Sequence, residues 1–262
     1  MLALPTFSTL DLNLNAKNAL YVKINRPDVH NAMNEQVIDD LIHCATFIEN
    51  SSVRVVILSG KGKSFCAGAD LNYMKRSKDF TFQQNLNDAK QMSLMFELWN
   101  TLSKPVIGKI TGFTIGGGTG LVAACDIAIA EENAKFGFSE VKLGIVPAII
   151  SPYILRKIGF TYTREFFLTG QRFSAEKAKQ ISLINYVVNS EELDGKVEEI
   201  ISELLTSGPE AIRAGKELIN KNLLLEKTEL QNYCVDLIAK LRKSPEGQEG
   251  ISAFLEKRKT NW

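Results

Sequence analysis

The residues best suited to chemistry form a glycine cluster just before a short apolar run. Gly116, Gly117, Gly118 and Gly120 fall within a stretch of five positions. Because glycine has no Cβ and adopts positive φ, such a cluster predicts a tight turn whose amide N–H groups face a ligand. The apolar run at 121–125 predicts a buried helix, whose N-terminal partial positive charge adds to those amides. The cluster therefore predicts a site for negative charge.

The spacing of the glycines indicates which kind of negatively charged group the site would bind. Gly118 and Gly120 begin a G-x-G-x-x-G dinucleotide pattern, but Ala123 occupies its sixth position. The Gly-Lys-Ser/Thr sequence of a Walker loop does not follow the cluster either. A bound phosphate is thus disfavoured, and an oxyanion that develops during a reaction remains.

A second run of small residues and a single acid complete the candidate chemistry. Residues 64–71, S-F-C-A-G-A-D-L, follow a predicted strand and form a second place where backbone is exposed. Glu140 is a lone acid among apolar neighbours. Apolar surroundings raise the pKa of a carboxyl, so we interpret Glu140 as a general acid or base. The alternative is an ordinary surface carboxylate.

The elements that must position these residues alternate between strand and helix. Strands are predicted at 19–25, 53–58, 105–110 and 127–130, and helices at 34–48, 72–102, 193–205, 210–222, 226–241 and 245–259. Asn34 is the expected N-cap of the first helix. A polar connector at 189–192 divides the chain into a core, residues 1–190, and a helical C-terminal region, residues 191–262.

Composition indicates an ordinary globular protein. Lysine and arginine number 31 against 30 acidic residues, which gives no field for gathering nucleic acid or an anionic membrane. The four cysteines contain no C-x-x-C pair, which favours a reduced, cytoplasmic setting. No apolar stretch approaches the ~20 residues that a membrane span requires. His30 and His43 lack an acid or cysteine at a suggestive spacing, so no metal site is expected.

Several motifs in a fixed order identify a family resemblance. They are N-R-P at 25–27, N-A-M at 31–33, S-F-C-A-G-A-D-L at 64–71, I-G-G-G at 115–118 running to C-D at 125–126, S-E-V-K-L-G at 139–144, L-T-G at 168–170, F-S-A at 173–175 and A-F-L-E-K-R at 253–258. Together they span nearly the whole chain. The sequence resembles the enoyl-CoA hydratase/isomerase (crotonase) superfamily.

The resemblance implies a fold, a substrate and a set of site residues. The fold would be α/β, a spiral of repeated ββα units followed by helices that build a homotrimer or homohexamer. The substrate would be an acyl-CoA thioester, with no cofactor beyond the coenzyme A that it carries. Its oxyanion donors would be the amides of Ala69 and Gly117, with Glu140 as the acid. The resemblance places the following residues at the substrate: Arg26, Ala67, Asp70, Leu71, Gly116, Gly120 and Lys257.

Two of these residues have structural alternatives. Asp70 precedes a predicted helix, so a helix cap is the favoured interpretation of its side chain. Lys257 matches a basic residue that reaches the coenzyme A phosphate in relatives, often in a neighbouring subunit. A lysine on a solvated helix face is equally consistent with the sequence.

The chain also departs from the family pattern. Hydratases with two glutamates carry an acid two residues after the third glycine of the cluster, where this chain has Gly120. The second family acid corresponds to Glu140. With G-G-T-G-L at 117–121 and P-A-I-I-S-P at 147–152, the chain resembles bacterial hydratases of branched, methylglutaconyl-type thioesters. The expected reaction is reversible syn addition of water to an enoyl-CoA, with double-bond isomerisation or non-catalytic acyl-CoA binding as alternatives.

Overall fold

The structure is a computed structural model that describes residues 2–262. Its strands are β1 (Leu10–Leu14), β2 (Ala19–Ile24), β3 (Val55–Gly60), β4 (Val106–Ile110), β5 (Phe113–Ile115), β6 (Ile127–Glu131), β7 (Lys135–Gly137), β8 (Arg172–Ser174) and β9 (Tyr186–Val188). Its helices are α1 (Glu35–Glu49), α2 (Leu71–Ser77), α3 (Phe82–Thr101), α4 (Gly117–Ala124), α5 (Ser151–Thr169), α6 (Ala175–Gln180), α7 (Leu193–Leu205), α8 (Pro209–Leu224), α9 (Lys227–Lys243) and α10 (Pro245–Leu255). Short 3-10 turns occur at 27–29, 140–143 and 190–192.

Two sheets organise the chain. The larger has the strand order β1-β2-β3-β4-β6-β9, with β1 antiparallel to β2 and the other neighbours parallel. The smaller has the order β5-β7-β8. Because β2, β3 and β4 run parallel, the loops that leave their carboxyl ends emerge at one edge of the sheet. Those loops carry the motifs at 25–33, 64–71 and 113–118.

The predicted strands and the first helix are confirmed within a few residues. β3 is buried along nearly its whole length, as a strand covered on both faces should be. Asn34 caps α1, since its side chain accepts a hydrogen bond from Val37 N at 3.1 Å. The other strands, β1, β5, β7, β8 and β9, were not predicted, and all of them except β1 have only three residues, which give too little periodicity to recognise.

The single long helix predicted over 72–102 is wrong. The structure has two helices, α2 and α3, separated by a loop at 78–81. Thr81 starts the second helix with a capping box: its hydroxyl accepts from Gln84 N, and the Gln84 side chain accepts from Thr81 N. Such reciprocal capping ends one helix and begins another even where the flanking residues favour helix.

The helix after the glycine cluster begins earlier than the apolar run suggests. α4 starts at Gly117, so that Gly117, Gly118 and Gly120 are helical rather than parts of a turn. Only Gly116 has positive φ in this cluster, at 55°. A Cβ on Gly118 would lie 2.3 Å from Cys66 O, so the helical glycine is required by the close approach of the neighbouring loop.

Helix α7 packs on the face of the large sheet. Leu193, Val197, Ile200 and Ile201 are buried against Val55 and other residues of the central strands. The proposed division at residue 190 therefore separates α7 from the sheet that it covers. The division into a core and a C-terminal region remains a proposal.

Helix α8 attaches to the core near the amino-terminal ends of β4 and β6. Lys216 of α8 donates to Asp126 Oδ2 at 2.6 Å and to Lys104 O at 2.8 Å. Asp126 Oδ2 also accepts from Val106 N at 2.7 Å, so this carboxylate is a satisfied structural group. None of the helices within residues 2–262 is both long enough and apolar enough to cross a bilayer.

Candidate active site

The backbone N–H of Ala69 points away from Met33, the residue with which Ala69 pairs. Met33 pairs with Ala69 as an isolated parallel bridge. In that bridge Met33 N donates to Gly68 O at 2.7 Å, and Asp70 N donates to Met33 O at 2.8 Å. Ala69 lies between Gly68 and Asp70, which form these two hydrogen bonds, so its own N–H points to the side away from Met33. Within residues 2–262 no acceptor is present for Ala69 N, so this donor is available to a ligand.

Gly117 supplies a second available amide at the start of α4. As the first helical residue its N–H has no acceptor four positions earlier in the helix. No other acceptor occurs in the part of the chain that the structure describes. Gly116 directs the chain into the helix with φ 55° and ψ −120°, a conformation that L side chains rarely adopt.

The two loops that carry these amides run side by side. Cys66 bridges Thr114, with Cys66 N donating to Phe113 O at 3.1 Å and Ile115 N donating to Cys66 O at 3.0 Å. Met33 provides a further link, because it pairs with Ala69 through its backbone while its side chain lies over Gly117. A Cβ on Gly117 would be 2.3 Å from Met33 Cε. The position of Met33 is a feature that the sequence did not indicate.

Glu140 reaches the same place from the 3-10 turn after β7. A Cβ on Gly116 would lie 3.0 Å from Glu140 Oε1. Glu140 Oε2 is buried, and no group among the described residues forms a hydrogen bond with it. Burial raises the pKa of this carboxyl above its usual range, and a bond from the residue's own backbone N–H opposes that rise. A buried carboxyl oxygen without a protein partner is suited to proton exchange with a ligand or water.

Gly120 faces an apolar wall rather than open space. A Cβ at this position would be 2.3 Å from Ile150 Cγ2 and 3.0 Å from Phe96 Cε1. Both residues are buried. The glycine therefore leaves no open space in place of the family acid, because Ile150 fills the volume.

The other predicted binding residues lie in different environments. Asp70 caps α2, accepting from Asn72 N at 2.8 Å and Tyr73 N at 3.1 Å. Arg26 forms an ion pair with Asp70 at 2.8 Å, so both side chains are engaged within the protein. Leu71 is 74% exposed and lies free at the start of α2.

Ala67 and Lys257, the two remaining predicted binding residues, lie in different parts of the fold. Ala67 is partly buried and donates from its backbone to His30 O at 3.0 Å, which places it within the loop of Ala69. Lys257 is exposed just beyond α10, where its φ is 54°. It belongs to the helical C-terminal region, and its contact with a ligand remains a proposal.

A cavity of about 540 Å³ lies elsewhere, at the carboxyl end of α4. Asp126, Lys157 and Lys216 are among the residues that line it. The helix has eight residues, so about 12 Å separates this end from Gly117. Lys157 donates to Cys125 O at 3.0 Å, and burial lowers the pKa of its ammonium group. These polar groups form hydrogen bonds within the protein, and they are not part of the arrangement around Glu140.

Two free backbone N–H groups beside one buried carboxyl define the class of protein. Such amides stabilise the oxyanion that forms when a thioester or other carbonyl compound takes on negative charge, and the carboxyl moves a proton. The arrangement is that of a candidate site which can stabilise an enolate-like intermediate and move the proton that its formation requires.

Comparisons with known proteins agree with this assignment. The family model described as enoyl-CoA hydratase/isomerase matches residues 15–262. The short-chain-enoyl-CoA hydratase of Clostridium acetobutylicum is 33% identical over 245 residues, 91% of each chain. The mevalonyl-coenzyme A hydratase sidH of Aspergillus fumigatus is 31% identical over 262 residues, 98% of this chain and 96% of the relative.

A solved structure extends the similarity to three dimensions. An enoyl-CoA hydratase from Shewanella pealeana superposes with a TM-score of 0.94 at 35% identity, covering 98% of this chain and 96% of the other. The chain therefore belongs to the enoyl-CoA hydratase/isomerase family and has the crotonase fold.

Proposed function

We propose that this protein is an enoyl-CoA hydratase, which adds water reversibly and syn to an α,β-unsaturated acyl-CoA thioester. The observation that carries the proposal is the buried, unpartnered Oε2 of Glu140, whose carboxyl group lies against Gly116 and thus beside the Gly117 amide. A protein that only bound acyl-CoA would not need an uncompensated carboxyl at this position. Hydratase relatives at 31–33% identity support the same reaction.

The reaction follows from three groups of the chain. The Glu140 carboxylate takes a proton from water as the water oxygen bonds to C3 of the substrate. The π electrons of the C2–C3 double bond form a C1–C2 double bond, and the carbonyl π pair moves onto the thioester oxygen, where the N–H groups of Ala69 and Gly117 stabilise the negative charge. Glu140 then returns the proton to C2. One water is added, and the acid and amides end as they began.

We infer that the acyl group is branched, carboxylated, or both, as in a methylglutaconyl thioester. The absence of an acid at Gly120 removes a charge that would repel a carboxylated substrate. Two like charges ~4 Å apart at an effective dielectric of ~20 repel by about 4 kcal/mol. The apolar wall of Ile150 and Phe96 suits a methyl branch. A mevalonyl thioester, for which the Aspergillus relative is named, is branched at C3.

Double-bond isomerisation is the second candidate, and the wall beside Gly120 favours it. Ile150 and Phe96 offer no polar group to help hold an attacking water. A lone carboxyl is sufficient to remove a proton from C4 and return one at C2. The two reactions differ in their products, because hydration adds the mass of one water and isomerisation leaves the mass unchanged.

The deciding experiment is turnover of a panel of purified thioesters. Crotonyl-CoA, 3-methylcrotonyl-CoA and 3-methylglutaconyl-CoA are each incubated with the protein, and the ultraviolet absorbance of the conjugated thioester is followed with the product mass. Hydration of the branched substrates faster than crotonyl-CoA supports the full proposal. A strong preference for crotonyl-CoA overturns the specificity alone. Products of unchanged mass establish the isomerase, and the absence of any reaction leaves a binding protein.

We also propose that the chain forms a homotrimer or homohexamer through its helical C-terminal region. That region exposes large apolar side chains, among them Leu224 at 69%, Val235 at 66% and Phe254 at 83%. Exposed apolar surface of this extent is typical of an interface between subunits. Light scattering coupled to size-exclusion chromatography measures the mass directly, and a monomer of 29.1 kDa would contradict the proposal.

A further inference from the structure

The guanidinium of Arg26 joins two loops that meet at the candidate oxyanion site. Its Nη2 donates to Asp70 Oδ2 at 2.8 Å, and its Nη1 donates to the carbonyl oxygen of Ala32. The Arg26 side chain is 21% exposed and that of Asp70 only 6%. A planar guanidinium donates to two acceptors in fixed directions, which a lysine ammonium does not.

The two acceptors flank the backbone pair that orients the Ala69 amide. Ala32 directly precedes Met33, and Asp70 directly follows Ala69. Met33 and Ala69 are the partners of the parallel bridge. Arg26 therefore spans from one strand of the bridge to the other and holds its two sides together.

The carboxylate of Asp70 is fixed on its other side as well. Its Oδ1 accepts from the N–H groups of Asn72 and Tyr73 at the start of α2. The peptide between Ala69 and Asp70 is thus held by the bridge to Met33, by the helix and by Arg26. Arg26 also compensates a negative charge that lies one residue from the Ala69 amide and would oppose an oxyanion there.

We propose that Arg26 is a positioning residue, which fixes the direction of the Ala69 N–H and neutralises Asp70, and that it does not contact the substrate. This inference rests on the proposed function, since it takes Ala69 as an oxyanion donor. For Arg26 it replaces the expected contact with the substrate, whereas the Asp70 side chain caps α2, as its place before a predicted helix favoured. A misplacement of about 1 Å in such a group reduces turnover by up to about 100-fold.

The test compares Arg26→Met, Arg26→Lys and Asp70→Asn with the exposed control Arg76→Met, whose ion pair with Glu35 lies on the surface. Two quantities are measured by calorimetry without turnover: the affinity for free coenzyme A, and the affinity for acetoacetyl-CoA, whose enolate places negative charge at the oxyanion site. Positioning predicts that Arg26→Met weakens acetoacetyl-CoA binding at least about tenfold while free coenzyme A binding changes less than about twofold. The control should alter neither.

Steady-state kinetics supply the second measurement. Arg26→Met should lower kcat by about 10- to 100-fold, and Arg26→Lys should recover part of that loss. Because both residues act through one contact, the double variant Arg26→Met/Asp70→Asn should be no slower than Arg26→Met. Losses that multiply in the double variant overturn the proposal, as does weaker binding of free coenzyme A with unchanged kcat.

Different results would contradict the proposed hydratase function and the proposed positioning role of Arg26. If the parent turns over none of the thioesters, the proposed function is wrong, while the ratio of acetoacetyl-CoA to coenzyme A affinity still tests Arg26. An unchanged ratio in Arg26→Met overturns the positioning role even when the parent is an active hydratase. Should Arg26→Met fail to fold, as judged by circular dichroism, the same ratio in Arg26→Lys decides, with a reduced ratio expected and an unchanged one contrary.

Discussion

The Glu140 carboxylate lies against the backbone of Gly116, with Oε1 3.0 Å from the point where a Cβ would be. Gly116 immediately precedes Gly117, whose amide is the candidate oxyanion donor. One glycine therefore sets the separation between the proposed proton-transfer group and the proposed oxyanion donor. A side chain at Gly116 would be strained at φ 55° and would displace the acid.

Glu140→Gln should bind acyl-CoA normally and lose turnover. The amide keeps the size of the carboxyl but does not exchange a proton, and general acid–base catalysis contributes about 10²–10⁴ in rate. Steady-state kinetics with 3-methylcrotonyl-CoA, together with calorimetric binding of coenzyme A, separate the two effects. Glu132→Gln, an exposed acid on the turn after β6, is the matched control. Turnover near the parent rate in Glu140→Gln would show that another group is the catalyst.

The pH dependence of the reaction should follow the raised pKa of Glu140. Hydration needs the carboxylate, so kcat/KM should rise as pH increases through a value above the usual glutamate pKa. Dehydration begins from the same carboxylate, which takes the proton from C2, so its kcat/KM should rise over the same range. Profiles in both directions, measured on parent and Glu140→Asp, test this. A profile that is flat above the ordinary pKa of a glutamate contradicts it.

The same shift predicts a stability effect in Glu140→Gln. A carboxyl with a raised pKa in the folded state stabilises the protein below its unfolded pKa, and that contribution is lost as pH rises through the folded pKa. Removing the charge should therefore raise Tm at about pH 8 and leave it nearly unchanged at about pH 4. Thermal unfolding of both proteins at the two pH values measures the difference. A lower Tm for the variant at the higher pH would mean that the ionised form is stabilised instead.

Gly117→Val should abolish activity while the fold persists. The new Cβ would displace Met33 Cε, the flexible end of a side chain, so the core should adjust. The branched side chain lies beside the oxyanion donor, and loss of one such donor typically costs about 10²–10³ in kcat. Gly215→Val on α8, where a Cβ meets no other atom within 4 Å, is the control for inserting valine in a helix. Equal catalytic efficiency in Gly117→Val and the parent would place the oxyanion site elsewhere.

Gly120→Glu should destabilise the protein rather than create a second acid. Its Cβ would lie 2.3 Å from Ile150 Cγ2, which is part of a buried, branched side chain. Ile150→Ala should cost about 2–5 kcal/mol as a cavity-forming change. In the double variant Gly120→Glu/Ile150→Ala the smaller side chain at 150 makes room for the glutamate. Its unfolding free energy should therefore exceed the value expected from adding the effects of the two single substitutions. Urea denaturation of all four proteins gives this coupling, and strict additivity would show that the two sites do not touch.

Lys257→Ala tests the proposed contact with the coenzyme A phosphate. A lost charge-assisted contact at an exposed site should raise KM by about 3- to 10-fold, leave kcat unchanged and weaken the salt dependence of binding. Lys259→Ala, two residues further along, controls for general surface charge. Equal effects of the two substitutions would indicate that Lys257 is an ordinary solvated lysine.

The sequence by itself determined the family, the two loops, the single acid and the strands that carry them. Those features depend on local properties: glycines in a fixed order, β-branched runs, and an acid in an apolar segment. The tertiary structure alone decided what surrounds them. Met33 over Gly117 and Ile150 against Gly120 are contacts between residues at least 30 positions apart, for which no local pattern exists. The ion pair of Arg26 with Asp70 likewise has no local pattern in the sequence, because the two side chains meet only when parallel strands bring their loops to one edge of the sheet.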